Sequence, residues 1–232
     1  PAANELSPPE GIRNNELTPE TSRQFEFSGS STLLKRRIFI NAKAYNLQVQ
    51  DFIRQQVDPN GRIYFVNEGL IRQNGLELTT TLVPTRLRPI PIYRVVVSTT
   101  IQDYKILQNP AIGSDARMAG VPFLTLSASG EAQIFRNVML FFSVFRYGKI
   151  PLNDANARFS APYWLLNTKI NVPVVSDRLG PILDIFGGVS NILNTQYTSF
   201  FNLNGFGGRY FNPAPGRSVY GGITFRFRKT LR

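Results

Sequence analysis

The chain of 232 residues contains neither cysteine nor histidine. Without cysteine there can be no disulfide and no thiolate nucleophile, and without histidine the usual general base and most zinc sites are missing. No stretch approaches the roughly 18 uninterrupted apolar residues that a membrane helix needs. Nowhere does an apolar period of 3.6 residues persist for three turns, so a helical architecture is excluded too. What is left is a β-rich protein without a recognisable catalytic constellation.

Strict strand alternation marks the stretch from Arg217 to Arg228. One row at a spacing of two is apolar, and the row between is polar. Similar alternation recurs along the chain and predicts about nine antiparallel strands in an all-β fold. The apolar row would face a core in a soluble sandwich, or lipid in an outer-membrane barrel whose polar row lines the lumen. The apolar row, which would face lipid in a barrel, is Val219, Ile223, Phe225 and Phe227, with Gly221 between; the row that would then face the lumen includes Tyr220, Thr224 and Arg226.

The connections between these segments alternate in length. The short ones are 34–37, 84–91, 135–137 and 174–179, and the long ones are 54–67, 106–119, 148–157 and 195–216. Short turns at one rim and long loops at the other are typical of outer-membrane barrels, with the long loops outside the cell, whereas a soluble sandwich has no reason to sort its loops. The pattern predicts an extracellular entry segment over 1–19, strands of a transmembrane β-barrel over 20–228, and a basic tail over 229–232.

The formal net charge of +11 raises the alternative of a soluble basic β-domain that binds nucleic acid in a salt-sensitive way. The cations, however, fall mostly at predicted strand ends, as in Lys35-Arg36-Arg37, and form no single face. A solvated or headgroup-level distribution is therefore the favoured interpretation, and no nucleic-acid partner is expected.

Four stretches, in order, resemble motifs of TonB-dependent outer-membrane transporters. Asn14-Asn-Glu-Leu-Thr-Pro-Glu-Thr-Ser22 resembles that family's Asn-x-x-Leu-x-Pro-Glu-Thr-Ser entry into a strand, and Val66-Asn-Glu-Gly69 followed by Asn74-Gly-Leu-Glu-Leu78 resembles its Asn-x-Gly and Gly-Val-Glu pair. Val189-Ser-Asn-Ile-Leu-Asn-Thr-Gln-Tyr197 resembles its Val-x-Asn-Leu-Phe-Asp-x-x-Tyr segment, and Pro215-Gly-Arg217 opens the final strand in the family's manner. Phe225 and Phe227 also resemble the C-terminal assembly signal of outer-membrane proteins, although a basic tail follows them.

The resemblance implies the C-terminal part of a barrel of about 22 strands, without the plug domain that fills the lumen. It implies import of a scarce nutrient of the metal-chelate, cobalamin or glycan class, driven through a TonB-type coupling protein that binds a part absent from this chain. Because open strand edges are costly in lipid, the chain is expected to be a fragment of a longer polypeptide or to complete another chain's barrel. The alternative function is a structural or binding component of the barrel wall without transport. The start of the sequence carries no signal peptide, so we expect an exported protein beginning this way to be processed or incomplete.

Two groups of residues are candidate sites. The acidic residues Glu77, Glu131 and Asp184 fall on polar faces of separate predicted strands, where lumen-facing charges are favoured over an acid/base pair. The loop from Thr198 to Pro215 combines aromatic surface with polar groups and is the candidate small-ligand site, the alternative being aromatic packing over the barrel mouth. Its candidate residues are Phe200, Phe201, Asn202, Asn204, Phe206, Arg209, Tyr210 and Phe211. Trp164, Tyr163 and Tyr197 are expected in an interfacial aromatic belt. No metal site, cofactor or enzymatic activity is predicted.

Overall fold

The computed structural model describes residues 1–6, 8, 11–67, 69–84, 92–109, 113–135, 138–177 and 180–226. One short helix, α1 (Ala3–Leu6), is followed by strands, and a 3-10 turn lies at Phe206–Gly208. The strands are β1 (Thr21–Leu33), β2 (Ile38–Gln50), β3 (Ile53–Val57), β4 (Ile63–Asn67), β5 (Leu70–Leu82), β6 (Ile92–Asn109), β7 (Ser114–Arg117), β8 (Leu124–Phe135), β9 (Val138–Tyr147), β10 (Tyr163–Asp177), β11 (Gly180–Ser190), β12 (Thr198–Phe201), β13 (Phe211–Pro213) and β14 (Ser218–Phe225). None of the described helices has the length and apolar content needed to cross a membrane.

One antiparallel sheet carries the fold. Its strands follow the order β1-β2-β5-β6-β8-β9-β10-β11-β14, and β7 pairs with β6 beside this path. The hairpins β3–β4 and β12–β13 form two small separate sheets. The path of the main sheet contains nine strands, which confirms the prediction of about nine. Strands that follow one another along the chain in this path are also adjacent in the sheet.

The connections of the main sheet sort by length, as predicted. The stretches 34–37, 83–91, 136–137 and 178–179 join strands at one end of the sheet, which we call the short-turn rim. The stretches 51–69, 110–123, 148–162 and 191–217 join them at the other end, the long-loop rim. The additional strands β3, β4, β7, β12 and β13 all lie within these long connections.

The register fixes two faces of the sheet, since directly opposed residues project to the same side. Lys43 opposes Glu77, Glu77 opposes Thr100, and Thr100 opposes Thr125, which defines a polar face. Leu76 opposes Ile101, and Ile101 opposes Leu124, which defines an apolar face. The apolar face is well exposed, as its large side chains Phe25, Phe27, Leu76, Ile101, Trp164, Ile185, Val219, Ile223 and Phe225 show.

Buried apolar side chains gather where the polar face reaches the long-loop rim. Val49, Ile71, Ile106 and Ala116 form one cross-strand row there, and Ile71 and Ile106 expose only 1% and 3% of their surface. Ile150 and Leu152 of the 148–162 connection are buried as well. The core of the described part of the chain therefore lies mainly at the long-loop rim, over the end of the polar face.

Aromatic rings lie over glycines of the neighbouring strand at several positions. On the polar face, Tyr220 covers Gly188 and Phe186 covers Gly222, each being a directly opposed pair. A Cβ atom on Gly188 would meet the Tyr220 ring at 2.5 Å and the backbone oxygen of Thr168 at 2.7 Å. A side chain at Gly188 therefore cannot be accommodated without a shift of the sheet.

Several strands are longer than the alternation predicts. Alternation in the sequence predicts strands over Gly75–Leu82 and from Tyr93 to about Tyr104, but β5 begins at Leu70 and β6 continues to Asn109. Near these ends Arg72, Asn74, Asp103 and Lys105 occupy the apolar face and Ile71 and Ile106 the polar face, so the alternation inverts while the backbone pairing continues. The last pair, Leu70 and Leu107, is again apolar on the apolar face. The predicted turn 174–179 is also shorter, because β10 runs on to Asp177 and β11 starts at Gly180. The predicted basic tail lies outside the described residues.

Candidate ligand-binding loops at the long-loop rim

The entry segment packs against the β3–β4 hairpin. The backbone N–H of Ile12 donates to the oxygen of Ile63 at 2.8 Å, and the Asn14 amide donates to the oxygen of Phe65 at 2.9 Å. Asn67 ties the two together, because its side-chain amide donates to the backbone oxygens of Thr18 and Asp51 at 2.9 and 2.7 Å. The entry segment is thus part of the long-loop rim.

The turn of this hairpin is closed by Asp58. Its carboxylate accepts the backbone N–H groups of Asn60 and Arg62 at 2.9 and 2.8 Å, and the Arg62 guanidinium at 2.8 Å. The backbone hydrogen bond from Arg62 is the main reason why the pKa of Asp58 lies below its usual range. Residues 58–62 form a turn, as their Pro, Asn and Gly residues predict.

Asp154 joins three long loops. Its Oδ2 accepts Nη2 of Arg54 from β3 at 3.0 Å and the side-chain amide of Asn204, from the β12–β13 connection, at 3.1 Å. The Asp154 backbone N–H donates to Oδ1 of Asn204 at 3.0 Å, and the Asn204 N–H donates to the oxygen of Leu152 at 2.9 Å. The side chains of Arg54 and Asp154 each expose only 19% of their surface. We call Arg54, Asp154 and Asn204 the loop clamp.

Asn156 attaches the fourth loop. Its side chain accepts the backbone N–H of Arg117 at 2.6 Å and donates to the oxygen of Arg117 at 2.8 Å. The Gly120 N–H donates to the oxygen of Pro151 at 2.9 Å, and Leu203 packs closely against Gly120. The four long connections and the entry segment therefore form one assembly centred on residues 148–162.

A cavity of about 950 Å³ opens beside this assembly. Apolar and aromatic side chains dominate its wall, with Asn194, Thr195 and Gln196 as polar groups; the aromatic residues are Tyr163, Trp164, Tyr197, Phe201 and Phe211. Phe201 and Phe211 meet edge to face with ring centroids 6.0 Å apart. Small-molecule sites combine concavity, aromatic surface and a few polar groups in this way.

The structure brings some of the predicted loop residues to this cavity and uses others elsewhere. Phe201 and Phe211 line it, whereas Asn204 belongs to the loop clamp. Asn202 bonds within the hairpin, its backbone N–H donating to the oxygen of Tyr210 at 2.9 Å and its amide to Arg209 at 3.3 Å. Phe200 is 59% exposed and does not line the cavity, and the side chain of Phe206 lies outside the described structure.

The predicted aromatic belt separates onto both faces. Trp164 lies on the apolar face under the guanidinium of Arg146, which is 5.2 Å from the ring centroid. Tyr163 lies on the opposite face, between Tyr147 and Tyr197, at centroid distances of 5.1 and 5.5 Å. Adjacent strand residues project to opposite sides, so Tyr163 and Trp164 could not share a belt. The Tyr147–Tyr163–Tyr197 stack instead links the sheet to the loop beside the cavity.

The three carboxylates singled out in the sequence remain far apart in the sheet order. Lys43 bridges Glu77 and Glu26, at 4.0 and 3.3 Å. Asp184 is buried and accepts a hydrogen bond from Arg226, while Thr224 directly opposes it. Glu131 lies with Arg94, Lys169 and Tyr220 around a second cavity of about 500 Å³ on the polar face. No acid/base pair forms among them, and the described residues contain no cluster of three metal-ligating side chains.

The sequence comparison decides the family. Residues 1–192 match the model of the TonB-dependent receptor-like β-barrel. The chain belongs to this family. TonB-dependent receptors are bacterial outer-membrane proteins that bind ligands and TonB, so the family is one of receptors and transporters, not of enzymes.

Solved structures share the fold at low sequence identity. The copper transporter OprC superposes with a TM-score of 0.70 at 18% identity, covering 98% of this chain and 35% of its own. The ferric-catecholate import receptor Fiu from E. coli K12 gives 0.68 at 16%, with 94% and 29% covered. The ferric yersiniabactin uptake receptor FyuA from Yersinia pestis gives 0.68 at 17%, with 88% and 29% covered. No curated protein sequence gives a significant match. The TonB-dependent receptor chain described here thus spans about a third of the structures that it resembles.

Proposed function

We propose that this chain forms nine strands of the wall and part of the vestibule of a TonB-dependent transporter. In this proposal the barrel has about 22 strands, and the remaining strands and a plug come from the rest of the protein or from another chain. The imported nutrient is a metal chelate, cobalamin or a glycan fragment, and import depends on a TonB-type coupling protein.

The two faces and the two rims support one orientation. The exposed apolar face, including Val219, Ile223 and Phe225, is assigned to lipid. Phe227, which the sequence predicts in the same row, lies outside the described residues. The polar face is assigned to the lumen; it carries Glu77, Glu131, Asp184, Tyr220, Thr224 and Arg226. The long-loop rim is assigned to the cell exterior, since outer-membrane barrels carry their long loops there.

The observation that best supports ligand capture is that the long loops are joined beside an aromatic cavity. The loop clamp holds β3 and the β12–β13 connection against residues 148–162, while Phe201 and Phe211 line the neighbouring cavity. Rigidly held aromatic rings bind apolar or conjugated ligands at a low entropic cost. Metal-chelate and cobalamin ligands offer such surfaces.

Ligand binding is tested with the purified full-length protein by isothermal titration calorimetry. The probes are a ferric catecholate chelate, a ferric hydroxamate chelate, a copper chelate, cobalamin and a maltooligosaccharide. We expect one class to bind, and Phe211→Ala to weaken that binding about tenfold, as loss of a ring contact of about 1.4 kcal/mol implies. The matched control is Phe135→Ala, an exposed phenylalanine near the short-turn rim, with unchanged binding expected.

Transport is tested separately by uptake of the bound probe into cells with and without the TonB-type coupling protein. We expect accumulation only when both the receptor and the coupling protein are present. Equal uptake without the coupling protein would contradict energised import. Binding without any uptake would favour the alternative of a wall or binding component that does not transport.

A further inference from the structure

Three cations form one row across neighbouring strands on the apolar face. Arg72 of β5 directly opposes Lys105 of β6, and Lys105 directly opposes Arg117 of β7. Directly opposed side chains have Cβ atoms about 5 Å apart, so these like charges lie close together and destabilise one another. We call Arg72, Lys105 and Arg117 the cation row.

Among the described residues, a single carboxylate forms ion pairs with the cation row. Asp103 lies 3.1 Å from Nζ of Lys105 and 3.8 Å from Nε of Arg117, with no described carboxylate in ion-pair distance of Arg72. The guanidinium of Arg117 also lies over the ring of Phe123, 4.8 Å from its centroid. The row therefore keeps an excess of positive charge, part of which is held on an aromatic surface.

The position of the row along the strands matches the edge of a membrane. The row Leu76–Ile101–Leu124 is apolar; two residues nearer the long-loop rim lies the polar row Asn46–Asn74–Asp103, and two residues further lies the cation row. Four residues of a strand tilted by about 45° rise by roughly 9 Å. That rise is similar to the thickness of the headgroup region above the hydrocarbon core, about 5–8 Å on each side.

We propose that the cation row binds the phosphate groups of a phosphorylated lipid in the outer leaflet. Arginine holds phosphate oxygens bidentately and lysine adds a point charge, while acyl chains would lie along the exposed side chains of Leu76 and Ile101. The apolar neighbours favour a lipid over a soluble phosphate, because a soluble anion has no use for them. The inference rests on the proposed membrane orientation but not on transport.

Native mass spectrometry of the full-length protein in detergent tests this site. The probes are lipid A with two phosphates and the same lipid with both phosphates removed. Each cation at an anionic lipid surface contributes about fivefold, so we expect the variant R72Q/K105Q/R117Q to bind the phosphorylated lipid about 100-fold more weakly. The control K35Q/R36Q/R37Q removes three cations at the short-turn rim and should bind as the unaltered protein does.

If the triple variant does not fold, the site can still be tested by comparing the binding of the two lipids to the unaltered protein. Removal of the lipid's phosphates should weaken binding to it by a similar factor of about 100. Equal binding of the two lipids, equal binding by the triple variant, or displacement of the lipid by inorganic phosphate at equal ionic strength would each overturn the proposal. Uptake of a nutrient is a separate readout, so failure of the lipid site and failure of the proposed function are distinguishable.

Discussion

Removal of the Asp154 carboxylate should release the long loops from one another while the sheet stays intact. In Asp154→Ala the hydrogen bonds to Arg54 Nη2 at 3.0 Å and to the Asn204 amide at 3.1 Å are lost. The backbone bonds within residues 148–162 remain, as does the attachment of Asn156 to Arg117. The substitution therefore separates the contribution of the loop clamp from the rest of the loop assembly.

The magnitude follows from the exposure of the pair. Hydrogen bonds to charged groups are worth about 1.5–3 kcal/mol, whereas fully exposed ion pairs are worth only about 0.2–1 kcal/mol. With both side chains only 19% exposed, the clamp falls in the lower part of the first range. We take about 2 kcal/mol for the loss, which raises the population of the open loops about 30-fold.

Hydrogen–deuterium exchange measures this opening directly. The N–H of Asn204, which donates to Leu152, reports on the clamped junction, whereas the N–H of Gly120, which donates to Pro151, reports on the neighbouring attachment that the substitution leaves in place. We expect exchange of the Asn204 amide in Asp154→Ala to accelerate about 30-fold where the loops reclose faster than the open amide exchanges, with the Gly120 amide and the amides of β8 and β9 unchanged. The control Arg62→Ala removes an exposed ion pair within one hairpin and should leave both amides protected. Unchanged protection in Asp154→Ala would refute the clamp.

Two further outcomes follow from single residues. Gly188→Ala places a Cβ 2.5 Å from the Tyr220 ring and 2.7 Å from a backbone oxygen, so it should lower the free energy of unfolding in guanidinium by about 1–3 kcal/mol. The matched change Gly187→Ala, whose nearest contact is 3.7 Å, should cost much less; equal losses would contradict the packing argument. Because the pKa of Asp58 is lowered in the folded protein, ionised Asp58 stabilises its turn at pH values above 3.8, its ordinary pKa. This contribution is lost as the pH falls through the lower pKa of the folded state. A carboxyl titration by NMR should show this midpoint below 3.8, and a midpoint at or above 3.8 would contradict the hydrogen bonds from Arg62.

The sequence predicts the sheet well because its middle section obeys one physical rule. Residues such as Leu76 and Leu78 must face an apolar medium, while Glu77 and Thr79 face the polar side, so the period of two is strict. The same rule and the sorted loop lengths predict the strand order. The motif from Val189 to Tyr197 also indicates the protein family, which the match over residues 1–192 confirms.

The rule fails at the long-loop rim, since the surroundings of the strands change there. Ile71 and Ile106 are buried under loops on the face that is polar in the middle of the sheet. Arg72 and Lys105 lie on the face that is apolar there. Alternation read from the middle of the strand therefore ends too early. An inverted alternation directly after a regular one is the signal that could have extended β5 and β6.

The residues of the candidate site could be predicted only in part, because the cavity is built from stretches distant in the chain. Phe201 and Phe211 share the cavity with Tyr163 and Trp164, which precede them by more than thirty residues. Asp154 gave no signal as a single acidic residue in a loop. Its role depends on Arg54, at a separation of 100 residues, which no local pattern contains.

The membrane orientation is the central claim, and labelling of introduced cysteines tests it most directly. The chain has no cysteine, so Ser199→Cys in the β12–β13 hairpin and Arg37→Cys in the first short turn each provide a unique thiol within it. With a membrane-impermeant maleimide, intact cells should label the cysteine at position 199 and leave the one at position 37 unlabelled until the outer membrane is permeabilised. Labelling of position 37 in intact cells, or protection of position 199, would contradict a wall that crosses the outer membrane with its long loops outside.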